Sequence, residues 1–300
     1  MTSESKTAVI AAIVGNVAIA ATKLVAAYFS GSSAMLSEGI HSLVDTGNGA
    51  LLLVGFRRSQ RPPDDAHPFG HGKELYFWPL VVAILIFALG GGMSIYEGVT
   101  HIMHPQHGEA KWNYIVLAFA FFFESISSYF AFKAFRGELR GRNPLRAIKE
   151  SKDPNTFTVL FEDSAALLGL IVAFVGIFLG QVLHNPYIDG VASIVIGLIL
   201  AVVACFLAYE SKGLLIGEGV DQTTLDSIRS IAGGDSDVAE VRKALTMHFG
   251  PQTVLLALDV NFNTDVTAEA LTNAINRIER KIRERHPEIK YVFIEAKAWS

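Results

Sequence analysis

Ser32–Phe56 reads SSAMLSEGIHSLVDTGNGALLLVGF, an apolar stretch of membrane-crossing length that nevertheless carries Glu38, His41, Asp45 and Asn48. His41 and Asp45 are i and i+4, so a helix presents both on one face, and Asn48 extends that face. Ionisable groups inside a membrane span are costly and usually face a protein interior or a watery cavity. An imidazole and a carboxylate on one face are half of a first-row metal site. On spacing alone, the alternative is a buried His–Asp hydrogen bond that fixes helix packing.

Composition divides the chain into an apolar part and a mixed part. Of its 300 residues, 51% are hydrophobic, and they are concentrated before about residue 215. The net charge of −4 is mild and gives no indication of nucleic-acid binding. The one cysteine, Cys205, cannot form an intramolecular disulfide. The N-terminal apolar run lacks a basic region before it and reaches span length, which favours a first membrane helix over a cleaved signal.

A membrane helix needs about 20 mostly apolar residues. By that measure the sequence predicts six membrane spans, which are Ala8–Phe29, Ala34–Phe56, Phe77–Val99, Tyr114–Phe135, Thr156–Leu183 and Tyr187–Leu207. The triplet Gly90–Gly92 in the third span predicts close helix approach or a local bend.

The short loops predict the orientation, because cytoplasmic loops are enriched in Lys and Arg. The loops after the second and fourth spans hold most of these residues, namely Arg57, Arg58, Arg61, Lys73, Arg136, Arg140, Arg142, Arg146, Lys149 and Lys152. Both termini and the C-terminal domain are therefore expected in the cytoplasm. Lys23, in the outer part of the first span, is expected to snorkel or to line a wet cavity.

The chain after residue 210 has the pattern of a small α+β domain. A helix is predicted over VDQTTLDSIRSIA, followed by two strands that join through Gly250–Pro251. Asp265 or Thr267 can cap a long amphipathic helix that ends near Arg285, and IKYVFIEAKAW is a last strand. This α-β-β-α-β order predicts a small sheet with helices on one face. The predicted domains are 1–210, within the membrane, and 211–300, in the cytoplasm.

The fifth span reads NTFTVLFEDSAALLGLIVAF and carries the adjacent carboxylates Glu162 and Asp163. These two side chains point about 100° apart on a helix, so one face cannot present both equally. Each is a ligand candidate, and the alternative is a protonated carboxyl that is merely packed. Asn16 and Asn48 are weaker candidates for lining a polar path. Asp189, at the start of the sixth span, is predicted to be a helix cap.

Two stretches together resemble a known family. They are KLVAAYFSGSSAMLSEGIHSLVDTGN, which begins at Lys23, and DDAHPFGHGKE, which begins at Asp64. Both are similar to the cation diffusion facilitator family of zinc and related metal exporters, and the resemblance covers essentially the whole chain. It implies six membrane helices, a C-terminal ferredoxin-like domain, a homodimer and exchange of a divalent metal for protons.

The resemblance implies a tetrahedral transport site with two ligands from the second helix and two from the fifth. By position the first pair is His41 and Asp45, and one ligand of the second pair is Asp163. The family's other fifth-helix position falls on Val159, which cannot bind metal, so the fourth ligand is Glu162, water or another group. More oxygen ligands relax a preference for zinc toward manganese, iron or cobalt, while the one imidazole keeps zinc as first choice.

The loop after the second span also resembles a family motif. In some relatives the equivalents of Asp64, His67 and His71 bind a second metal, and the alternative is that these residues only shape a turn. His248 and His286 are the histidines of the C-terminal domain. With so few, dimerisation is the safer expectation for that domain than metal sensing. The outer histidines, including His101, are expected to be solvated.

These patterns predict a secondary transporter rather than an enzyme. It would export zinc, or manganese, iron or cobalt, from the cytoplasm by alternating access, with no cofactor. His41 is the expected proton carrier, because the pKa of an unperturbed histidine, about 6.5, lets it gain and lose a proton near neutral pH. The rival hypothesis is a membrane metal sensor or scaffold that binds metal without transporting it. A bacterial inner membrane is favoured over an organelle membrane by the lack of a cleavable signal.

Overall fold

The computed structural model describes residues 3–105, 111–139 and 154–298. All six predicted long helices are present in it, although the third is a composite. The helices are α1 (Ser3–Ser30), α2 (Ser33–Ser59), α3 (Glu74–Leu85), which continues through a π-helical turn (Ile86–Gly92) into α4 (Met93–Met103), α5 (Lys111–Leu139), α6 (Pro154–Val182) and α7 (Tyr187–Ile216).

Among the described residues, three helical segments are long and apolar enough to cross a membrane. They are Glu74–Met103, Phe157–Val182 and Tyr187–Ile216. The polar side chains of α2 lower its hydropathy, and the part of α1 whose side chains are described, Val17–Ser30, is a shorter apolar segment. The helical membrane fold is thus confirmed, while the count of six spans stays a prediction. The basic residues between 140 and 153, which are predicted to be cytoplasmic, lie outside the described ranges.

The close helix approach predicted for Gly90–Gly92 is confirmed against α7, and the triplet lies in the π-helical turn. A Cβ added at Gly91 would lie 3.1 Å from the Gly197 carbonyl oxygen. Seven residues further along, or about two helical turns, a Cβ at Gly98 would lie 2.5 Å from the Gly190 carbonyl oxygen. Small residues therefore let the α3–α4 segment and α7 pack backbone against backbone, the usual means of membrane helix association.

Asp189 caps a different helix from the one predicted. Its carboxylate accepts hydrogen bonds from the Ser33 backbone N–H at 2.6 Å and from the Ser32 hydroxyl at 2.7 Å, so it caps the N-terminus of α2. A carboxylate there pairs donors that the helix leaves open and complements its dipole. His101 corrects another expectation, because it lies buried at the end of α4 with Nε2 3.8 Å from the Asp189 carboxylate.

The C-terminal part confirms the predicted α-β-β-α-β order. It consists of α8 (Gln222–Gly233), β1 (Val238–Gly250), β2 (Thr253–Phe262), α9 (Ala268–Arg285) and β3 (Ile289–Ala298). The strand order is β1-β2-β3, with β1 antiparallel and β3 parallel to β2. A helix crossover is what a parallel neighbour requires, and α9 provides it.

Alternate residues of β2 build the core of this part. Val254, Leu256, Leu258 and Val260 are buried against apolar side chains of α8 and α9, including Ile228. Both helices therefore cover one face of the sheet, as the predicted α+β plan requires. Thr267 is the N-cap of α9, since its hydroxyl accepts from the Ala270 N–H at 3.2 Å.

Two compact units divide the described chain. Phe56–Tyr76 and the residues from Lys212 onward belong to the second unit, and the described helical residues outside these segments belong to the first. One division falls at Ser211/Lys212, next to the predicted domain boundary, and the loop after α2 lies with the C-terminal strands. Its sequence position predicts that it belongs to the membrane domain, so this grouping is a correction.

Candidate metal-transport site and loop site

The face of α2 predicted from spacing is present within the first unit. His41 Nδ1 lies 3.4 Å from Asp45 Oδ1, so the imidazole and the carboxylate do share one side of the helix. His41 and Asn48 are buried, and the Asp45 side chain is 20% exposed. Helical periodicity explains the arrangement, because residues at i, i+4 and i+7 follow one stripe.

Several polar atoms of this face are buried without a hydrogen-bond partner among the described residues. They are both ring nitrogens of His41, Asp45 Oδ1 and Asn48 Oδ1, and the 3.4 Å contact between His41 Nδ1 and Asp45 Oδ1 does not have hydrogen-bond geometry. A buried nitrogen or oxygen left unpaired costs about 1–3 kcal/mol. A metal ion or a proton relieves that cost, so the face is built from unpaired donor atoms of the kinds that bind divalent metals.

The adjacent carboxylates of α6 point to different neighbours, as their angular separation predicts. Glu162 is buried, and its Oε1 accepts a hydrogen bond from Asn48 Nδ2 at 2.9 Å, which places it against α2. Asp163 accepts a hydrogen bond from the Ser127 hydroxyl of α5 at 2.9 Å. The structure thus presents Glu162 to the α2 face more directly than Asp163, the carboxylate favoured by family position.

The side chain of Val159 is 39% exposed and offers no ligand atom. Asn16 belongs to α1, but its side chain lies outside the described residues. Among the described residues, only Asp64, His67 and His71 have possible ligand atoms that all lie within 4.8 Å of one another. The candidate ligand atoms on the helices do not form such a group.

Lys23 is fully buried, which corrects the expectation of snorkelling. Its Nζ donates to Glu38 Oε2 at 3.1 Å and to the Ser42 hydroxyl at 2.7 Å. The sequence did hold a signal for this pair. Lys23 and Glu38 lie at similar distances on either side of the turn at Gly31, so the hairpin of α1 and α2 brings them to the same depth.

The loop cluster belongs to the second unit. Asp64 Oδ1 lies 3.1 Å from His67 Nδ1, and Asp64 Oδ2 lies 3.0 Å from His71 Nε2. Hydrogen bonds from the His71 ring and from the His67 backbone N–H hold the pKa of Asp64 at about 2. The carboxylate is therefore ionised at every physiological pH. Gly70, with φ +83°, makes the turn that brings the two histidines together.

Phe69 anchors this loop to the C-terminal sheet within the same unit. Its ring centroid lies 4.9 Å from that of Phe249 and 5.2 Å from that of Tyr291. Lys73 Nζ donates to the Leu215 carbonyl at 3.3 Å. These contacts pack the loop that carries the cluster against the C-terminal sheet. The sequence of the loop does not predict them.

The other histidines of the second unit have local partners. His286 Nε2 lies 2.9 Å from the Ser227 hydroxyl, and the buried His248 has its Nδ1 3.3 Å from the Gly250 carbonyl. Asp259 accepts from Lys297 Nζ at 3.2 Å. Each of these side chains therefore has a local partner in the second unit.

A bundle of long helices with a buried imidazole, carboxylates and an amide defines a polytopic membrane protein with an intramembrane polar site. The model of the cation efflux transmembrane domain matches residues 9–216. The chain therefore belongs to the cation efflux, or cation diffusion facilitator, family.

Relatives within the family carry names that refer to different metals. The proton-coupled zinc antiporter SLC30A9, mitochondrial, of Xenopus laevis is 30% identical over 91% of this chain and 56% of that protein. The chain thus spans about half the length of that antiporter. The manganese efflux system protein MneP of Bacillus subtilis is 21% identical over 97% of this chain and 95% of that protein. A nickel form of the MamM C-terminal domain is 14% identical over 27% of this chain and all of that domain, with a TM-score of 0.25.

Proposed function

We propose that this protein exports a divalent first-row metal, zinc first, in exchange for protons. The observation that carries the proposal is the set of buried atoms on His41, Asp45 and Asn48 that have no hydrogen-bond partner among the described residues, on a face that Asn48 joins to Glu162 of α6. The name of the Xenopus antiporter supports zinc and proton coupling. The donor types add support, because one imidazole with oxygen ligands suits zinc while admitting manganese, iron(II) or cobalt.

Metal and protons compete for the same atoms in this proposal. Ligation requires a neutral His41 and ionised carboxylates, so binding a metal releases protons and protonation releases the metal. In the inward-facing state, metal draws Asp45, Glu162 and Asp163 together across α2 and α6. In the outward-facing state, protons take the ligands, His41 among them, and the proton gradient drives the cycle.

The proposed orientation follows the basic loops and places both termini in the cytoplasm. A bacterial membrane is the proposed location, because the chain matches nearly all of a bacterial manganese efflux protein but only about half of the mitochondrial antiporter. The proposed assembly is a homodimer formed through the C-terminal domain. Its sheet supports this with an apolar face opposite the helices, where Leu245 and Phe293 are 63% and 54% exposed and flank Ala257 in register.

Metal-driven proton flux in proteoliposomes tests the proposal. Purified full-length protein with a pH-sensitive dye inside the vesicles receives zinc, manganese, iron(II) or cobalt outside. Zinc is expected to drive flux that Asp45→Asn removes, because the isosteric amide cannot carry the charge that the site needs. His104→Ala, at an exposed outer histidine, is the control and should retain flux. Metal binding without flux for every metal would overturn export in favour of the sensor hypothesis.

The loop cluster is proposed as a second, cytoplasmic metal site, supported by its ligand spacing. Lowering the pH from 7.5 to 5.5 is expected to weaken zinc binding there, because protons compete with zinc for the ring nitrogens of His67 and His71. Asp64, with its pKa of about 2, contributes nothing in that range. Calorimetry on the Asp45→Asn protein isolates this site. Binding that persists in a His67→Ala, His71→Ala variant, or that ignores pH, would contradict the assignment.

A further inference from the structure

Lys23, Glu38 and Ser42 form a closed polar group between α1 and α2. Lys23 and Glu38 are each 0% exposed, and their ion pair of 3.1 Å is completed by the 2.7 Å bond to Ser42. Neither charge reaches water, so the pair is neither a surface bridge nor a membrane-interface contact. Replacing such a pair by apolar side chains of similar volume is often neutral or stabilising, so stability alone does not account for it.

Packing against α6 holds Glu38 in place. A Cβ added at Gly169 would lie 2.2 Å from Glu38 Oε1, so the carboxylate occupies the space that a larger residue would fill. That Oε1 atom is buried without a hydrogen-bond partner among the described residues. Glu38 therefore accepts a hydrogen bond from Lys23 through Oε2, while Oε1 lies against α6 without a hydrogen-bond partner among the described residues.

The pair lies beside the proposed transport site. Ser42 is the residue next to His41, and Glu38 precedes Asp45 by seven residues, which is two turns along the same stripe of α2. His41 follows Glu38 by three residues on α2, so the Lys23–Glu38 pair and the imidazole share one side of that helix. Two opposite charges at this depth therefore shape the field in which any metal at His41 and Asp45 would bind.

We propose that Lys23 and Glu38 are positioning residues that set the metal affinity of the transport site by mutual charge cancellation. Lys23 occupies Glu38 and keeps it from adding another negative charge to the site, which would hold the metal too tightly for release. Glu38 in turn masks the ammonium group, which would otherwise repel a divalent cation. The inference deepens the proposed function and rests on it.

Opposite shifts in zinc affinity test the pair. Zinc is titrated into purified full-length protein that carries His67→Ala and His71→Ala, so that the loop is silent. Lys23→Met is expected to tighten binding at least about tenfold, because Glu38 loses its counter-charge, and Glu38→Gln to weaken it to a similar degree. The variant with both changes should return to within about threefold of the parent, since non-additivity reports direct coupling. Ser42→Ala, which changes no charge, should shift affinity less than either single change.

A purely structural pair would give another pattern. Both single changes would weaken binding, and the double change would not restore it, which overturns the proposal. If a single variant fails to fold, the double variant still tests the proposal, because it leaves no unpaired ion in the core. A folded double variant whose zinc affinity differs from that of the parent by tenfold or more overturns the proposal. Asp45→Asn distinguishes the two levels. Zinc binding that survives Asp45→Asn defeats the proposed function itself, whereas Asp45-dependent binding without opposite shifts defeats only the role of the pair.

Discussion

Glu162→Gln is expected to reduce metal-driven proton flux at least about hundredfold, the upper range for loss of a group that supports a metal site. Glu162 is the carboxylate of α6 that meets the polar face of α2, through its 2.9 Å bond with Asn48. Glutamine keeps the size of the side chain and can still pair with Asn48. The lost quantity is the negative charge opposite Asp45, so the comparison reports on ligation rather than packing.

Asp163→Asn is the matched comparison, because it removes the same charge from the adjacent position. Asp163 pairs with Ser127 of α5, so its loss is expected to reduce flux by about tenfold, less than the loss at Glu162. Flux and zinc affinity are measured side by side in both variants. Full flux in Glu162→Gln together with none in Asp163→Asn would show that family position, rather than the observed contact with Asn48, identifies the ligand.

Gly98→Ala is expected to destabilise the helical unit by roughly 1–3 kcal/mol, the range for overpacking a filled contact. The added methyl would lie 2.5 Å from the Gly190 carbonyl oxygen and 2.9 Å from the Ile194 backbone nitrogen. These are backbone atoms of α7, which no side-chain rotation can move aside. The α3–α4 segment and α7 must separate, and their close packing is lost.

Gly47→Ala supplies the control in the same unit. Gly47 is an exposed glycine in the middle of α2 with nothing within 4 Å of an added Cβ. Alanine there should be neutral or stabilising by up to about 1 kcal/mol, because it is the better helix former. Thermal unfolding of the detergent-solubilised protein, at one scan rate, compares the two variants with the parent. Equal midpoints for Gly98→Ala and the parent would contradict the packing described here.

Local sequence predicted the elements and the α2 face well. His41 and Asp45 were placed together by spacing because helical periodicity is a property of a single segment. Turn and capping residues, which also act locally, predicted the α-β-β-α-β order and narrowed the cap of α9 to Asp265 or Thr267. Hydropathy found the long helices, since a bilayer demands about 20 apolar residues regardless of neighbours.

The contacts between elements were decided only by the tertiary structure. Sequence spacing could not tell whether Glu162 or Asp163 meets α2, because that depends on how α6 is rotated against its neighbours. It likewise missed Asp189 as the cap of α2 and the docking of Phe69 on the C-terminal sheet. The chain by itself therefore determined which residues could carry metal chemistry and on which helices. Helix rotation and packing, which are set by many distant contacts at once, decided which of those side chains meet.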